Sequence, residues 1–533
     1  MDGSTFAQSS VLCYNIAPMP FAPIFALTAP LGGFLVLLAA AYSSRLKPYG
    51  HYVVPLGAGL SLLGVLFAPL EIPRPFLLSL WQPLPLFGTF PALLADRAVW
   101  PLALAWAGAV AGSALVQISR PQLLRLSVGA AVLGMLTFGL GALWGENILT
   151  VLLAWAGFDL VWGIGMIVAG LPAERAVWGT GAGIAATVLL WIGALVLEES
   201  GCGLSWPVMV PAGCSGTVLL LAALVRLGVY PFHLVLPAEM RRGRPIAAAL
   251  LLEPLLAWGL LARMAAQAGI EIPSSPWLEV IAAGTFVVGS FLAWATADPD
   301  RRTLWLGMAA TGGVLWAGLR SPNPAAAWIA GGVAWTLGLV LLYLNRGWAR
   351  KFSVETVAPV IGGLAILAAP LVSGGRAPST PIGGAVFAVG QALLTASVAK
   401  DVLRPAGEYE RLGPLPTIAC AAGLTIPLIA LLLGLGSAPK VAPTGLGWAV
   451  WLIGALFGGA LFWGEKRGVL PERRTLVALS ESLRREWAGR LIVQSLGRLT
   501  AFLDAVADVA EGPGAILWAL ATFLLILVVV IGR

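Results

Sequence analysis

Charge is what this sequence has least of. Asp, Glu, Lys and Arg make up 11% of its 533 residues, against roughly 25% in soluble domains, while 59% are hydrophobic. That balance excludes a water-soluble globular chain and makes the bilayer its solvent. Histidine and cysteine are also scarce, with two and four copies. Cys13, Cys202, Cys214 and Cys420 show no CxxC or His/Cys ligand spacing, so no zinc or iron–sulfur framework is expected, although a disulfide among the first three stays open. Ten-residue stretches of alternating polarity are missing, which excludes a spanning β-barrel. No glycine-rich phosphate loop follows a strand, because the 65 glycines fall inside apolar runs where they permit close helix packing. No metal or cofactor is implied, and any redox or nucleotide chemistry would belong to another chain.

What is present is a succession of apolar runs, each near the ~20 residues that cross a hydrocarbon core. They read as helices at 23–42, 51–70, 98–118, 122–143, 147–170, 176–198, 208–236, 245–267, 277–297, 302–320, 325–345, 356–374, 381–400, 415–437, 444–465 and 513–532. The expected fold is therefore an all-α polytopic membrane protein of about sixteen spans. The proline-rich stretch 71–97 reads as an ordered loop or short hairpin. Residues 471–511 combine Leu476, Leu479, Leu483 and Trp487 at helical spacing with arginines on other faces. They read as a long helix on the membrane surface or along its neighbours, or as a solvated helix.

The net charge of +7 does not require an acidic partner such as nucleic acid, because the basic residues sit on alternate loops. With the N-terminus outside, the inner loops receive Arg45 and Lys47, Arg120 and Arg125, Arg175, Arg241, Arg242 and Arg244, Arg301 and Arg302, Arg346, Arg350 and Lys351, and Lys400, Arg404 and Arg411. This is the positive-inside pattern, with cytoplasmic basic loops. Nothing basic precedes Arg45 apart from the α-amino group, so no signal-peptide n-region is expected.

Ionisable side chains inside hydrocarbon are costly and mark functional candidates. Asp159 lies about 20 Å into the fifth run, Arg226 deep in the seventh, and Glu253 midway along the eighth beside Pro254. Asp159 and Arg226 are placed to pair between neighbouring helices, with Glu253 further along the same polar axis; the alternative is that all three only fix packing. His233 follows a break in the seventh run and could relay a proton or hold carbonyls freed at the break. The seventh run, with Pro231, and the twelfth, with Pro370 and paired glycines, both read as interrupted. Five helices separate them, an odd offset that fits an inverted repeat.

At this point the residues become recognisable. The run Val225–Gly243, VRLGVYPFHLVLPAEMRRG, resembles the signature of the antiporter-like membrane subunits of respiratory complex I (NADH:quinone oxidoreductase), of multisubunit cation/proton antiporters and of membrane-bound hydrogenases. Leu94–Arg97 with Asp96, DPDRRTL at Asp298–Leu304, and Pro359–Gly384 are similar to further parts of that family. The resemblance covers about residues 90–400, and only the PFH stretch is specific. It implies two inverted five-helix repeats, at 122–268 and 277–400, between N-terminal helices with a loop (1–121), additional helices (401–470) and a lateral helix with a terminal anchor (471–533). It further implies proton movement along a central axis, with Asp159, Arg226, His233 and Glu253 as path candidates and Asp96, Glu146, Pro231 and Pro370 as structural or access positions.

The sequence departs from the family at each key position. Asp159 stands where a glutamate is expected. Arg226 stands in place of lysine, and a guanidinium stays protonated in proteins, so it can tune a relay but not pass a proton. Residues 356–374 hold no ionisable group. Three readings follow: a proton- or cation-translocating subunit working with other integral membrane subunits in an energy-transducing, prokaryotic inner membrane; a non-pumping scaffold of the same kind of assembly; or an independent solute carrier, disfavoured by the PFH signature.

Overall fold

The computed structural model describes residues 20–43, 45, 47–71, 73–78, 89–119, 125–168, 173–199, 203–206, 214–233, 245–266, 276–345, 354–374, 380–403, 414–468 and 498. The chain divides into two units, Met1–Leu483 and Arg484–Arg533, and all described residues except Arg498 belong to the first. The amphipathic segment 471–511 apart from Arg498, the last run 513–532, Cys13, Cys202 and the arginines at 241, 242 and 244 lie outside the described residues.

Among the described residues, fifteen α-helices follow the first fifteen apolar runs. They are α1 (Phe21–Tyr42), α2 (Gly50–Phe67), α3 (Trp100–Ile118), α4 (Leu126–Leu143), α5 (Ile148–Val168), α6 (Ala173–Glu199), α7 (Cys214–Leu227) and α8 (Pro254–Ala266). Then come α9 (Pro276–Ala295), α10 (Pro299–Leu319), α11 (Pro324–Leu344), α12 (Val354–Val372), α13 (Pro381–Val402), α14 (Pro414–Ser437) and α15 (Gly445–Lys466). Several starts are written in the sequence as a polar cap followed by proline, which fits the first turn because its missing N–H has no partner there. Asn323 accepts from the Ala326 amide ahead of α11, and Thr380 from the Gly383 amide ahead of α13.

Burial sorts these helices into an inner and an outer set. Every residue of α11 from Ala325 to Leu344 is buried, and α3 is buried almost throughout. Helix α11 packs against α3, α8, α10, α12 and α14 and forms the middle of the bundle. On the rim, Leu160, Ile164 and Ile167 of α5, Leu415 and Ile418 of α14, and Leu456 and Phe457 of α15 are exposed. An apolar surface of that extent is incompatible with water and matches lipid. Among the described residues, twelve segments are long and apolar enough to span a membrane. Inner helices approach closely through glycine: a Cβ at Gly338 would lie 2.6 Å from the Gly362 carbonyl, and one at Gly312 would lie 2.4 Å from the Phe286 amide nitrogen.

The stretch 71–97 does contain a hairpin. Strand β1 (Phe76–Leu77) pairs antiparallel with β2 (Ala92–Leu93), in register Phe76 with Leu93. The hairpin is tied to the α4–α5 connection, with the Leu94 amide donating to the Trp144 carbonyl (2.6 Å) and the Glu146 amide to the Ala92 carbonyl (2.9 Å).

Two expectations need correction. The twelfth segment is not interrupted between Val354 and Val372: α12 runs continuously through Pro359 and Pro370. Both prolines lie within two turns of a helix end, and the helix accommodates them without a break. The eighth segment, expected to be continuous, is the one that breaks. Residues Pro245–Leu251 form a 3₁₀ stretch, Leu252 and Glu253 leave helical geometry, and α8 begins at Pro254. Proline disfavours helical geometry in the residue before it, which here is Glu253.

Candidate functional site

The seventh segment ends where the sequence suggested, and the reason is local. Gly228 adopts φ +66°, its amide donates to the Val225 carbonyl (3.0 Å), and the Val229 amide reaches back to Leu224 (3.4 Å). This is the Schellman arrangement, in which a left-handed glycine closes a helix. The chain then passes Tyr230 and the cis Tyr230–Pro231 bond, with the Tyr230 amide donating to Thr285 Oγ1 of α9 (3.1 Å). Arg226 therefore sits in the last turn of α7, where the exposed carbonyl ends favour a cation.

Asp159, Arg226 and Glu253 meet, as the sequence suggested. Arg226 is fully buried, Asp159 is 4% exposed and Glu253 2%. Arg226 Nη2 lies 2.7 Å from both Asp159 oxygens, 3.0 Å from Thr187 Oγ1 and 3.2 Å from the Gly183 carbonyl. Thr187 also donates to Asp159 Oδ2 at 2.6 Å. Glu253 Oε1 stands 3.6 Å from Arg226 Nη1, and Glu253 Oε2 has no hydrogen-bond partner. Trp155 of α5 stacks over the guanidinium, 4.1 Å from its ring centre, and excludes water on that side. Glu253 stands at the break, between the 3₁₀ stretch and α8. Gly183 is required too, since a Cβ at that position would lie 2.8 Å from Asp159 Oδ1.

His233 is not brought into this group. Its ring stacks on Tyr230 (5.5 Å) and lies beside Trp305 of α10 (5.6 Å). Pro370 packs on α10, 2.9 Å from where a Cβ of Gly313 would stand.

Asp96 and Glu146 gather in a second cluster around a residue that sequence reasoning missed, Arg263. Its Nη1 is 3.0 Å from Asp96 Oδ2 and its Nη2 donates to the Leu143 carbonyl at 2.9 Å. Asp96 Oδ1 meanwhile accepts from the Val99 amide ahead of α3 (2.9 Å). Glu146 accepts from Asn147 Nδ2 (3.0 Å) and Ser205 Oγ (3.2 Å). Burial pushes its carboxyl above the ordinary carboxylate range, opposed by those two donors and by the charge of Arg263. Arg263 lies within the eighth apolar run, so its charge was the signal that could have found it. Thr187 and Gly183 carry no such mark and could not have been singled out. Arg263 and Glu253 are ten residues apart on one segment, roughly 15 Å along a helix.

Helices α9–α13 differ. From 280 to 297, 304 to 319, 324 to 345, 357 to 374 and 382 to 399 the sequence has no Asp, Glu, Lys, Arg or His. Charges lie at the ends instead: Arg302 pairs with Asp401 (2.7 Å), Lys400 with Glu465, and Arg320 with Glu279.

No family model and no curated protein matches the sequence. Solved structures do. A chain of the Mrp complex from Dietzia sp. superposes with TM-score 0.67 at 17% identity, covering 96% of this chain and 62% of that one. This chain thus spans less than two thirds of the Mrp chain. A chain of the membrane-bound sulfane sulfur reductase, an archaeal respiratory membrane complex, superposes with TM-score 0.63 at 17% identity, covering 95% of this chain and 99% of that one. A chain of respiratory complex I from Thermus thermophilus reaches TM-score 0.47, too low to establish a common fold. Fifteen apolar helices with a lipid-compatible rim among the described residues, and two superpositions over nearly the whole chain, make this an integral membrane protein with the fold of those chains of the Mrp complex and the sulfane sulfur reductase.

Proposed function

We propose that the chain is an antiporter-like subunit of a multisubunit membrane assembly, held by other integral membrane subunits, and that it takes part in proton translocation with Glu253 as the exchanging group. One observation carries this reading. Two carboxylates, Asp159 and Glu253, share a single permanent cation, Arg226, in a site sealed from water. Fully ionised, the group would bear a net charge of −1 in a low-dielectric interior, which is costly unless one more cation joins it. Asp159 is saturated by Arg226 and Thr187, whereas Glu253 keeps a free oxygen, so the extra proton belongs on Glu253. Arg226 holds its own proton and sets the local field. The domain division and repeats read from the sequence, an external N-terminus and a prokaryotic inner membrane belong to the same proposal.

A second reading, a non-pumping structural subunit, is favoured by the lack of ionisable groups inside α9–α13. The test is proton flux through the native assembly reconstituted in vesicles. Translocation predicts that Glu253→Ala and Asp159→Ala each stop flux, whereas a scaffold tolerates both. A solute carrier would instead transport when purified alone.

A further inference from the structure

A guanidinium ordinarily meets a carboxylate fork to fork, two nitrogens on two oxygens. Arg226 does not. A single nitrogen, Nη2, takes both Asp159 oxygens at 2.7 Å together with Thr187 Oγ1 and the Gly183 carbonyl. That nitrogen has two N–H bonds and faces four acceptors, while Nη1 and Nε donate to nothing. Thr187 spends its own hydrogen on Asp159 Oδ2, so its lone pairs face Nη2. The oxygens come from α5 and from Gly183 and Thr187, four residues apart on one face of α6. A carboxylate chelating one centre through both oxygens, completed by a hydroxyl and a backbone carbonyl, is the environment of a near-spherical cation rather than of a planar fork.

We propose that this group is a preformed site for a monovalent cation of ammonium or potassium size, and that Arg226 fills it as a tethered cation that keeps free cations out. Its shell of 2.7–3.2 Å is wider than the about 2.0–2.1 Å of magnesium or the about 2.3–2.6 Å of calcium. It matches N–H···O lengths, hence an ammonium or an ion of that size. Glu253 Oε1 lies 3.5 Å from the space a Cβ of Gly183 would occupy and adds a carboxyl oxygen to that side. The carbonyl end of α7 and the face of Trp155 favour positive charge there whether or not the charge is covalently attached. Arg226 is thus a specificity-determining residue: with the cage filled, the proton is the only cation left to exchange at Glu253. The inference deepens the proton reading but is read out by binding, so its failure leaves proton exchange at Glu253 standing.

The experiment compares wild type, Arg226→Ala, Asp159→Asn/Arg226→Ala and Arg226→Lys, each as the full chain in its assembly, for accumulation and thermal melting in ammonium, potassium and choline chloride at equal ionic strength. The expected result is that Arg226→Ala melts at least about 2 °C higher in ammonium or potassium than in choline, or accumulates only in those salts. Wild type and the double variant should show no such preference, and Arg226→Lys should accumulate like wild type because its ammonium fills the cage. Arg226→Ala that behaves alike in all three salts, or fails in all three while the double variant folds, overturns the proposal. Should neither Ala variant accumulate, Arg226→Lys decides: failure of that protein as well shows that the cage does not accept an ammonium.

Discussion

Helices α4–α8 and α9–α13 are equal in number and built from the same kind of apolar helix, yet they handle charge in opposite ways. The first set buries Asp159, Arg226, Glu253 and Arg263 within its spans, and the second keeps every ionisable group at the helix ends. The second set shows that this architecture packs without interior charge, using glycine contacts such as Gly312 on Phe286. The charge in the first set is therefore not a requirement of folding. Replacing buried ion pairs by apolar residues is often neutral or stabilising, so a pair that persists asks for another explanation. In α4–α8 the explanation we propose is a site that holds one exchangeable proton.

The sharpest way to break the comparison is to remove the shared guanidinium. Arg226→Ala in choline chloride leaves Asp159 and Glu253 buried without a counter-charge and is expected to destabilise the protein by about 3–5 kcal/mol, seen as early thermal unfolding in detergent. Thr187→Val removes a donor to Asp159 Oδ2 and an acceptor from Arg226, at an expected cost of about 1.5–3 kcal/mol in the same assay. Glu146 offers a pH test. Its pKa is raised in the folded protein, so its contribution is fully present below the ordinary carboxylate value and is lost as pH rises through the folded pKa. Glu146→Gln should flatten that decline and match or exceed wild-type melting at pH 8, with a gain of about 1 kcal/mol or less. The smallest effect belongs to α9–α13. Thr336 Oγ1 is buried with no hydrogen-bond partner, so Thr336→Val should shift stability by no more than about 0.5 kcal/mol, in the stabilising direction. A large loss there would mean that the second set hides a polar network like the first.

Much of this was legible in the sequence, because hydrocarbon imposes a simple grammar. Spans of about twenty apolar residues had to be helices, and any charge inside them had to find a partner. Asp159, Arg226 and Glu253 could be linked on that ground alone, and the end of α7 was written in LGVYP. The misses have physical causes. Pro254 broke the eighth segment because it constrains the residue before it, whereas α12 takes up Pro359 and Pro370 near its two ends without a break. Thr187 and Gly183 became part of the site only through the packing of α5 on α6, which no local pattern reports. Asp96 and Glu146 were singled out separately, and their common partner Arg263 emerged only once α8 was placed beside the α4–α5 connection.

The central claim is that Glu253 carries the exchangeable proton of an otherwise fixed Asp159–Arg226 pair. It is tested most directly by proton flux through the native assembly in vesicles, comparing wild type with Glu253→Gln, which keeps the shape and removes the titration. The account predicts that flux is lost while the assembly and its thermal stability are retained. Flux at the wild-type rate in Glu253→Gln would contradict it and leave the cluster a structural ion pair in a scaffold.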